Sequence, residues 1–247
     1  MNLHKYGTPK YFYQLAGTLL PYVAVATALL LAIGLVWGLR LAPVDYQQGE
    51  SYRIMFVHVP SAWMSMFIYV VMAGNGALLL VFHAKLADMV ASACAATGAV
   101  FTLAALATGS LWGKPMWGAW WVWDARLTSE LILFFLYMGV IALRASIDDP
   151  RRAGRASAIL ALVGVVNIPV IHFSVQWWNT LHQPASISSI SKIGAPGIHP
   201  SMIGPLLTMA LAFTAYFTLV ILMRVRAEIL VRERGMGWVA ELPEIKR

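Results

Sequence analysis

Tryptophan and histidine are the residues in this sequence whose types and spacing indicate a binding site. Five of the ten tryptophans fall within residues 112–124, between two long apolar runs. A belt that anchors a protein at a membrane surface spreads its aromatic rings over several helix ends. Five rings in one segment favour a platform for a flat ligand, with an elaborate interfacial anchor as the alternative. We call residues 112–124 the tryptophan loop.

Two histidines from distant parts of the sequence could supply ligands for a metal. His58 lies at the start of the second apolar run, and His182 follows the fifth. Imidazole nitrogen is a common iron ligand, and two such residues can hold a heme iron from opposite faces. For either histidine alone, a hydrogen-bonded interfacial role is the simpler interpretation, but the nearby tryptophan loop favours the ligand role.

His172 competes with this pair, because it follows Pro169 by three residues and a proline kink could aim it inward. It could equally satisfy backbone carbonyls that the proline leaves free. The remaining histidines are expected outside the site, and these are His4, His83 and His199.

Charged residues near the tryptophan loop suggest how an anionic ligand would be held. Arg53, Lys114 and Arg126 are the nearest cations, and arginine can bind a carboxylate in bidentate geometry. Glu130 stands one helical turn after Arg126, and it could pair with Arg126 or act as a functional acid; we favour the intrahelical pair. Asp124 is a favourable residue to cap the fourth helix and could also accept bonds from tryptophan N–H groups.

Composition makes this an all-α polytopic membrane protein. Of its 247 residues 60% are hydrophobic and only 12% are charged, and several apolar runs exceed the ~18 residues needed to cross a bilayer. The one cysteine, Cys94, allows no internal disulfide, and without a Cys-x-x-Cys-His motif the chain is not itself a c-type cytochrome. We expect a single domain with spans at about 15–39, 54–82, 89–111, 125–143, 156–176 and 202–223, and a second long loop at 177–201.

The distribution of basic residues predicts the orientation of the six spans. Thirteen of the 18 Lys and Arg residues fall on the side of the two termini, and five on the other side. By the positive-inside rule both termini are cytoplasmic. The tryptophan loop, His58 and His182 then share the outer side, which is the periplasm in a bacterium.

Residues 117–124 read Trp-Gly-Ala-Trp-Trp-Val-Trp-Asp and continue Ala-Arg-Leu-Thr-Ser-Glu. This run resembles the tryptophan-rich WWD signature of the heme-handling proteins of cytochrome c biogenesis. His58 within Tyr-Arg-Ile-Met-Phe-Val-His-Val-Pro, His182 within Trp-Trp-Asn-Thr-Leu-His and the six spans make the chain similar to the CcmC family. The resemblance covers almost the whole chain, and residues 184–200 are among its least recognisable parts.

The resemblance implies a specific role. Members of the CcmC family bind heme b at the periplasmic face of the bacterial inner membrane, with two axial histidines that correspond here to His58 and His182. They present the heme to the chaperone CcmE, beside the ABC transporter subunits CcmA and CcmB and the small membrane protein CcmD. The expected contacts to heme come from the tryptophan loop and its flanking cations, namely Trp112, Trp117, Trp120, Trp121, Trp123, Asp124, Arg53 and Arg126.

Three other classes of function compete with heme delivery. A transporter that moves heme or another solute through its own bundle would need polar residues along a path, and few polar residues fall inside the spans. A di-heme redox enzyme would need histidines facing each other at two depths. A scaffold for a complex needs no site at all. We find no catalytic constellation and expect no enzymatic activity.

Overall fold

The computed structural model describes residues 7–182 and 199–242, so His4 and residues 183–198 of the predicted 177–201 loop lie outside the described residues. All named elements in the described part are helical, and six segments are long and apolar enough to cross a membrane. The chain is therefore an all-α, polytopic membrane protein, as predicted. The helices are α1 Pro9–Val36, α2 Met55–Phe82, α3 Lys85–Trp117, α4 Ala125–Ser146, α5 Pro150–Gly164, α6 Asn167–Trp177, α7 Pro200–Arg232 and α8 Gly237–Ala240.

Most helices are longer than the apolar runs that predicted them. α3 has 33 residues, which at 1.5 Å per residue span about 50 Å, against a hydrocarbon core of ~30 Å. It continues to Trp117, six residues past its predicted end, so the non-helical part of the tryptophan loop begins only at Gly118. Hydropathy marks where a helix meets lipid, whereas the helix ends where Gly118 adopts φ 75° and closes the last turn.

The helices form a bundle in which α3 is central and α1 is peripheral. In the most apolar part of each span, 61% of α3 residues but only 11% of α1 residues are buried inside the protein. α3 packs mainly against α2 and α4, and α1 packs mainly against α7. We call the end that carries the tryptophan loop the loop end, and the opposite end, where α1 begins and α7 finishes, the terminal end.

Small residues on α3 allow the close packing at the centre. A Cβ atom added to Gly98 would lie 2.1 Å from the ring of Tyr137, so the tyrosine occupies the space that a side chain would take. On α5, Gly164 admits the Tyr69 hydroxyl in the same way. Helices in lipid gain little from hydrophobic burial against each other, so close contact at small residues holds them together.

The fifth span is broken into α5 and α6 at Val165 and Val166. The break lies just before Pro169, whose ring cannot fit beside the carbonyl four residues earlier. Asn167 donates a hydrogen bond to the Ser129 carbonyl across 2.9 Å, which ties the break to α4. α5 itself begins at the cap residue Asp149, whose pKa is held below its usual value by backbone N–H groups of Arg151 and Arg152.

A buried carboxylate joins four helices at the terminal end. Asp88, in the first turn of α3, is 4% exposed and pairs with Arg144 of α4 and, at 2.5 Å, with Arg232 of α7. On α5, a Cβ at Gly154 would approach Asp88 Oδ1 to 2.7 Å, so only glycine leaves room for the carboxylate. An acidic group in the first turn also interacts favourably with the helix dipole.

Removing this carboxylate should destabilise the bundle. Replacing Asp88 with Asn leaves Arg144 and Arg232 without their buried counter-charge, and breaking such a pair costs about 3–5 kcal/mol. We expect a clear fall in the thermal midpoint of the detergent-purified protein. The control is Asp148→Asn, at an exposed position on the same side of the bundle. Equal midpoints for the two variants would contradict the role of Asp88.

Candidate functional site

A large cavity lies at the loop end, between α2, α3 and α4. Its volume is about 1340 Å³ with its open mouth included, and its wall is predominantly apolar. Pockets for small ligands typically carry a few convergent polar groups on an apolar wall. Here the polar groups include His58, His182, Arg126 and Glu130.

Among the described residues, hydrogen bonds hold one ring nitrogen of His58 and leave the other without a partner. It lies in the first turns of α2, and its Nδ1 is 3.0 Å from the Ala105 carbonyl oxygen and 3.1 Å from Thr108 Oγ1, both on α3. A carbonyl only accepts, so Nδ1 carries the proton and Nε2 keeps its lone pair. Metal-binding histidines are typically oriented by such a bond.

Gly109 makes room for this arrangement. A Cβ atom at that position would lie 2.9 Å from Cε1 of His58, so the ring rests directly on the backbone of α3. The imidazole therefore has backbone on one side and faces the cavity on another.

Asp124 connects the tryptophan loop to the segment that carries His182. Its Oδ1 accepts a hydrogen bond of 2.8 Å from the backbone N–H of Leu127 and so caps α4, as predicted. Its Oδ2 accepts from the Thr180 hydroxyl, whose oxygen accepts from the backbone N–H of His182 at 3.0 Å. The partner of Asp124 is therefore Thr180, where the sequence suggested tryptophan N–H groups.

These constraints bring the two predicted histidines together. The ring centres of His58 and His182 are 6.3 Å apart, and the rings are inclined by 37°. Trp112 packs edge-on against His58 with ring centres 5.7 Å apart, and the ring centres of Trp117 and His182 are 6.4 Å apart. In the described part of the chain no group of three or more His, Cys, Asp or Glu residues could hold a metal ion. The pair alone offers two ligands, which leaves the other coordination positions of a metal to a bound ligand.

The tryptophans of the loop divide into two sets. Trp112, Trp117 and Trp121 line the cavity, and the first two stand on the helical end of α3. Trp120 and Trp123 do not line it and are 55% and 75% exposed. The same stretch of sequence thus presents rings both to the cavity and to the surroundings.

The three candidate cations have different surroundings. Arg126 lines the cavity and donates one hydrogen bond, of 3.2 Å, to the Ile171 carbonyl. Arg53 is not part of the wall. It pairs with Glu50 and donates to the Gly38 carbonyl, in the π-helical turn that follows α1. Lys114 donates to the Gly118 carbonyl and caps the end of α3.

Glu130 does not form the expected pair with Arg126. Among the described residues no ion pair within 4.0 Å joins them, and Glu130 Oε1 instead lies 2.7 Å from Ser65 Oγ on α2. The predicted intrahelical pair is therefore wrong. The reason is that Glu130 faces into the bundle while the Arg126 guanidinium is held by the carbonyl of a neighbouring helix.

The other described histidines do not line the cavity. His172 is exposed and packs edge-on against Phe173, so the break before Pro169 does not turn it inward. His199 caps α7 through Ser201, and His83 closes α2 with φ 54°.

Several residues of the site carry no signal in the sequence. Gln48 accepts a hydrogen bond of 3.0 Å from Trp112 Nε1, and the Ala105 carbonyl and Thr108 orient His58. These contacts join positions 47 to 64 residues apart, which a periodic pattern cannot reveal. Thr180 is the exception, because its place two residues before His182 could have suggested a local turn.

Comparison with known proteins gives a consistent result. Residues 2–240 match the family model described as CcmC, heme exporter protein C. The chain is 51% identical over 241 residues to the heme exporter protein C of Escherichia coli strain K12, covering 98% of this chain and 96% of that protein. It is 53% identical over 232 residues to the protein of that name from Bradyrhizobium diazoefficiens, covering 94% and 87% of the two chains. A putative cytochrome c biosynthesis ccmC-like mitochondrial protein of Marchantia polymorpha is 48% identical over 190 residues, or 77% and 78%. The chain belongs to the heme exporter protein C family.

Proposed function

We propose that this protein binds heme b noncovalently at the loop end, with His58 and His182 as the two axial ligands of the iron. The observation that carries the proposal is the separation of the two imidazoles. A metal–imidazole bond is about 2 Å long and the ring centre lies about 1 Å beyond the bonded nitrogen, so rings on opposite sides of one ion have centres roughly 6 Å apart. The measured separation is 6.3 Å.

The cavity wall fits the rest of a heme molecule. Trp112, Trp117 and Trp121 supply flat apolar surface for the porphyrin, and Arg126 supplies a cation for a propionate. We assign supporting roles to Asp124, which holds the His182 segment through Thr180, and to Arg53, which holds the entry to α2. We assign no heme contact to Trp120 and Trp123, because neither lines the cavity.

We propose that the bound heme is cargo for cytochrome c maturation. The named relatives are heme exporters, and the family resemblance supports delivery to the periplasmic chaperone CcmE, in a complex with CcmA, CcmB and CcmD. The excess of Lys and Arg at the terminal end supports an orientation with that end in the cytoplasm and the loop end in the periplasm. The protein then acts by holding and presenting heme in the bacterial inner membrane, without catalysing a reaction of its own.

The axial assignment predicts the optical spectrum of the purified protein loaded with heme. His58→Ala and His182→Ala should each abolish the low-spin spectrum of a bis-histidine heme, because each removes one iron ligand. His172→Ala is the matched control and should leave the spectrum unchanged, since His172 is exposed and does not line the cavity. Unchanged spectra in both ligand variants would refute the assignment.

The hydrogen bonds that hold His182 predict that two substitutions of Thr180 differ in their effect on heme affinity. Thr180→Val removes the hydroxyl that links Asp124 to His182, and losses of this kind typically lower metal-site affinity about 10–100-fold. Thr180→Ser keeps the hydroxyl and should bind heme nearly as the wild type does. Heme titration followed by absorbance measures both affinities. If valine and serine gave the same affinity, the proposed support of His182 would be wrong.

The division of the tryptophans predicts which rings retain heme. Trp121→Ala should lower the ratio of heme to protein after purification in detergent, because it removes part of the cavity wall. Trp120→Ala removes a ring that is 55% exposed and should leave that ratio unchanged. The reverse result would show that the exposed side of the loop, rather than the cavity, contacts heme.

A further inference from the structure

Glu130 is a buried acid in the wall of the heme cavity that the proposed heme contacts do not use. It is 7% exposed and lies within the span formed by α4. An ionisable residue at membrane depth is costly, so its presence there calls for a functional explanation. The inference below rests on the proposed function, because it concerns the heme bound in that cavity.

The burial of Glu130 favours its neutral, protonated form. Among the described residues it has one hydrogen-bond partner, Ser65, whose Oγ lies 2.7 Å from Glu130 Oε1 and also 2.8 Å from the Ala62 carbonyl oxygen. The Ser65 hydroxyl is the donor in both contacts, so its one proton is shared between the Ala62 carbonyl oxygen and Glu130 Oε1. Within the described part of the chain Arg126, one helical turn away, forms no ion pair with Glu130, and a buried carboxyl without an ion pair is most stable in its neutral form.

The position of Glu130 brings it within electrostatic range of the proposed iron site. Its partner Ser65 lies seven residues after His58 on α2, which corresponds to about 10 Å along the helix axis. Charges in a water-poor interior interact strongly over such distances. The two histidines are neutral ligands, so the iron–porphyrin core is neutral with ferrous iron and carries one positive charge with ferric iron.

We propose that Glu130 couples the oxidation of bound heme to the release of one proton. Beside ferrous heme Glu130 stays neutral. When a one-electron acceptor, such as a redox dye, removes an electron from the iron, the new positive charge stabilises the carboxylate, and the proton of Glu130 leaves to solvent through the cavity mouth. One electron and one proton are released, and the net charge of the cavity is unchanged.

Several other ionisable groups lie near Glu130, and the experiment must distinguish a proton from these groups from the proton of Glu130. The ionisable groups on the packed elements are Arg126 and Tyr137 of α4, Tyr69 and His58 of α2, Cys94 of α3, and His182. Arginine stays charged, and tyrosine and cysteine ordinarily titrate above neutrality. The histidines are occupied by iron while the bis-histidine spectrum persists. A heme propionate is the remaining candidate, so the test compares variants of Glu130.

The experiment measures the reduction potential of bound heme in the purified, heme-loaded protein by spectroelectrochemical titration over a pH series around neutrality. In the wild type the potential should fall as pH rises, with a limiting slope of about 59 mV for each tenfold change in proton concentration. In Glu130→Gln the potential should not vary with pH. It should match the wild type at the acid end and exceed it at the alkaline end, where the wild type carries the carboxylate.

Two further variants provide a control and a second test. Thr97→Val removes a buried hydroxyl of α3 that, among the residues described, bonds only to its own helix, and it should retain the wild-type slope. Ser65→Ala keeps the acid but removes its partner, and it should shift the pH at which the potential begins to fall. If Glu130→Gln cannot be purified, Ser65→Ala provides the test. A reduction potential with the same pH dependence in Ser65→Ala and in the wild type would then contradict the proposal.

Two kinds of failure are distinguishable. A wild-type protein that shows no bis-histidine heme spectrum would overturn the proposed function itself. A normal spectrum with the same pH slope in the wild type and in Glu130→Gln would assign the proton to another group, such as a propionate, and would overturn only the role of Glu130.

Discussion

The candidate site depends on a single carboxylate, that of Asp124. One of its oxygens ends the tryptophan loop by capping α4, and the other holds Thr180, which in turn holds the backbone of His182. The cap and the tether come from the two oxygens of one side chain, so the start of α4 and the position of His182 are set together. This explains in physical terms why an aspartate follows the tryptophans: a neutral hydroxyl at that position could not accept from both partners equally well.

The bundle has ionisable residues at both ends, but their partners differ between the two ends. At the terminal end Asp88 is fully compensated by Arg144 and Arg232 and joins four helices. At the loop end Arg126 and Glu130 each bind a neutral partner and face the cavity. Charges that pair with each other are satisfied within the protein, whereas ionisable groups that face a cavity remain available to a ligand. The difference between the two ends locates the site independently of the tryptophans.

Much of the fold could be predicted from the sequence, because lipid imposes simple rules. Apolar runs predict the six spans, and the position of Asp124 before α4 predicts its role as a helix cap. Hydropathy does not predict the extension of α3 to Trp117, because it reports contact with lipid and not the end of the helix. The predicted pair of Glu130 with Arg126 is wrong because spacing along one helix cannot show that Ser65 of another helix is nearer. Side-chain direction, which decides between Arg126 and Arg53 at the cavity, requires the packed bundle.

The two histidines stand on different kinds of segment. His58 stands on a membrane-spanning helix, with its ring bonded to α3 and resting on Gly109, so moving it means moving helices. His182 follows α6 in a non-helical stretch, and the Thr180 hydroxyl is the link between its backbone and Asp124. In the heme complex that we propose, one iron ligand would stand on a membrane-spanning helix and the other on a non-helical segment. Moving the second ligand displaces no helix, so we expect the release of heme to begin at His182.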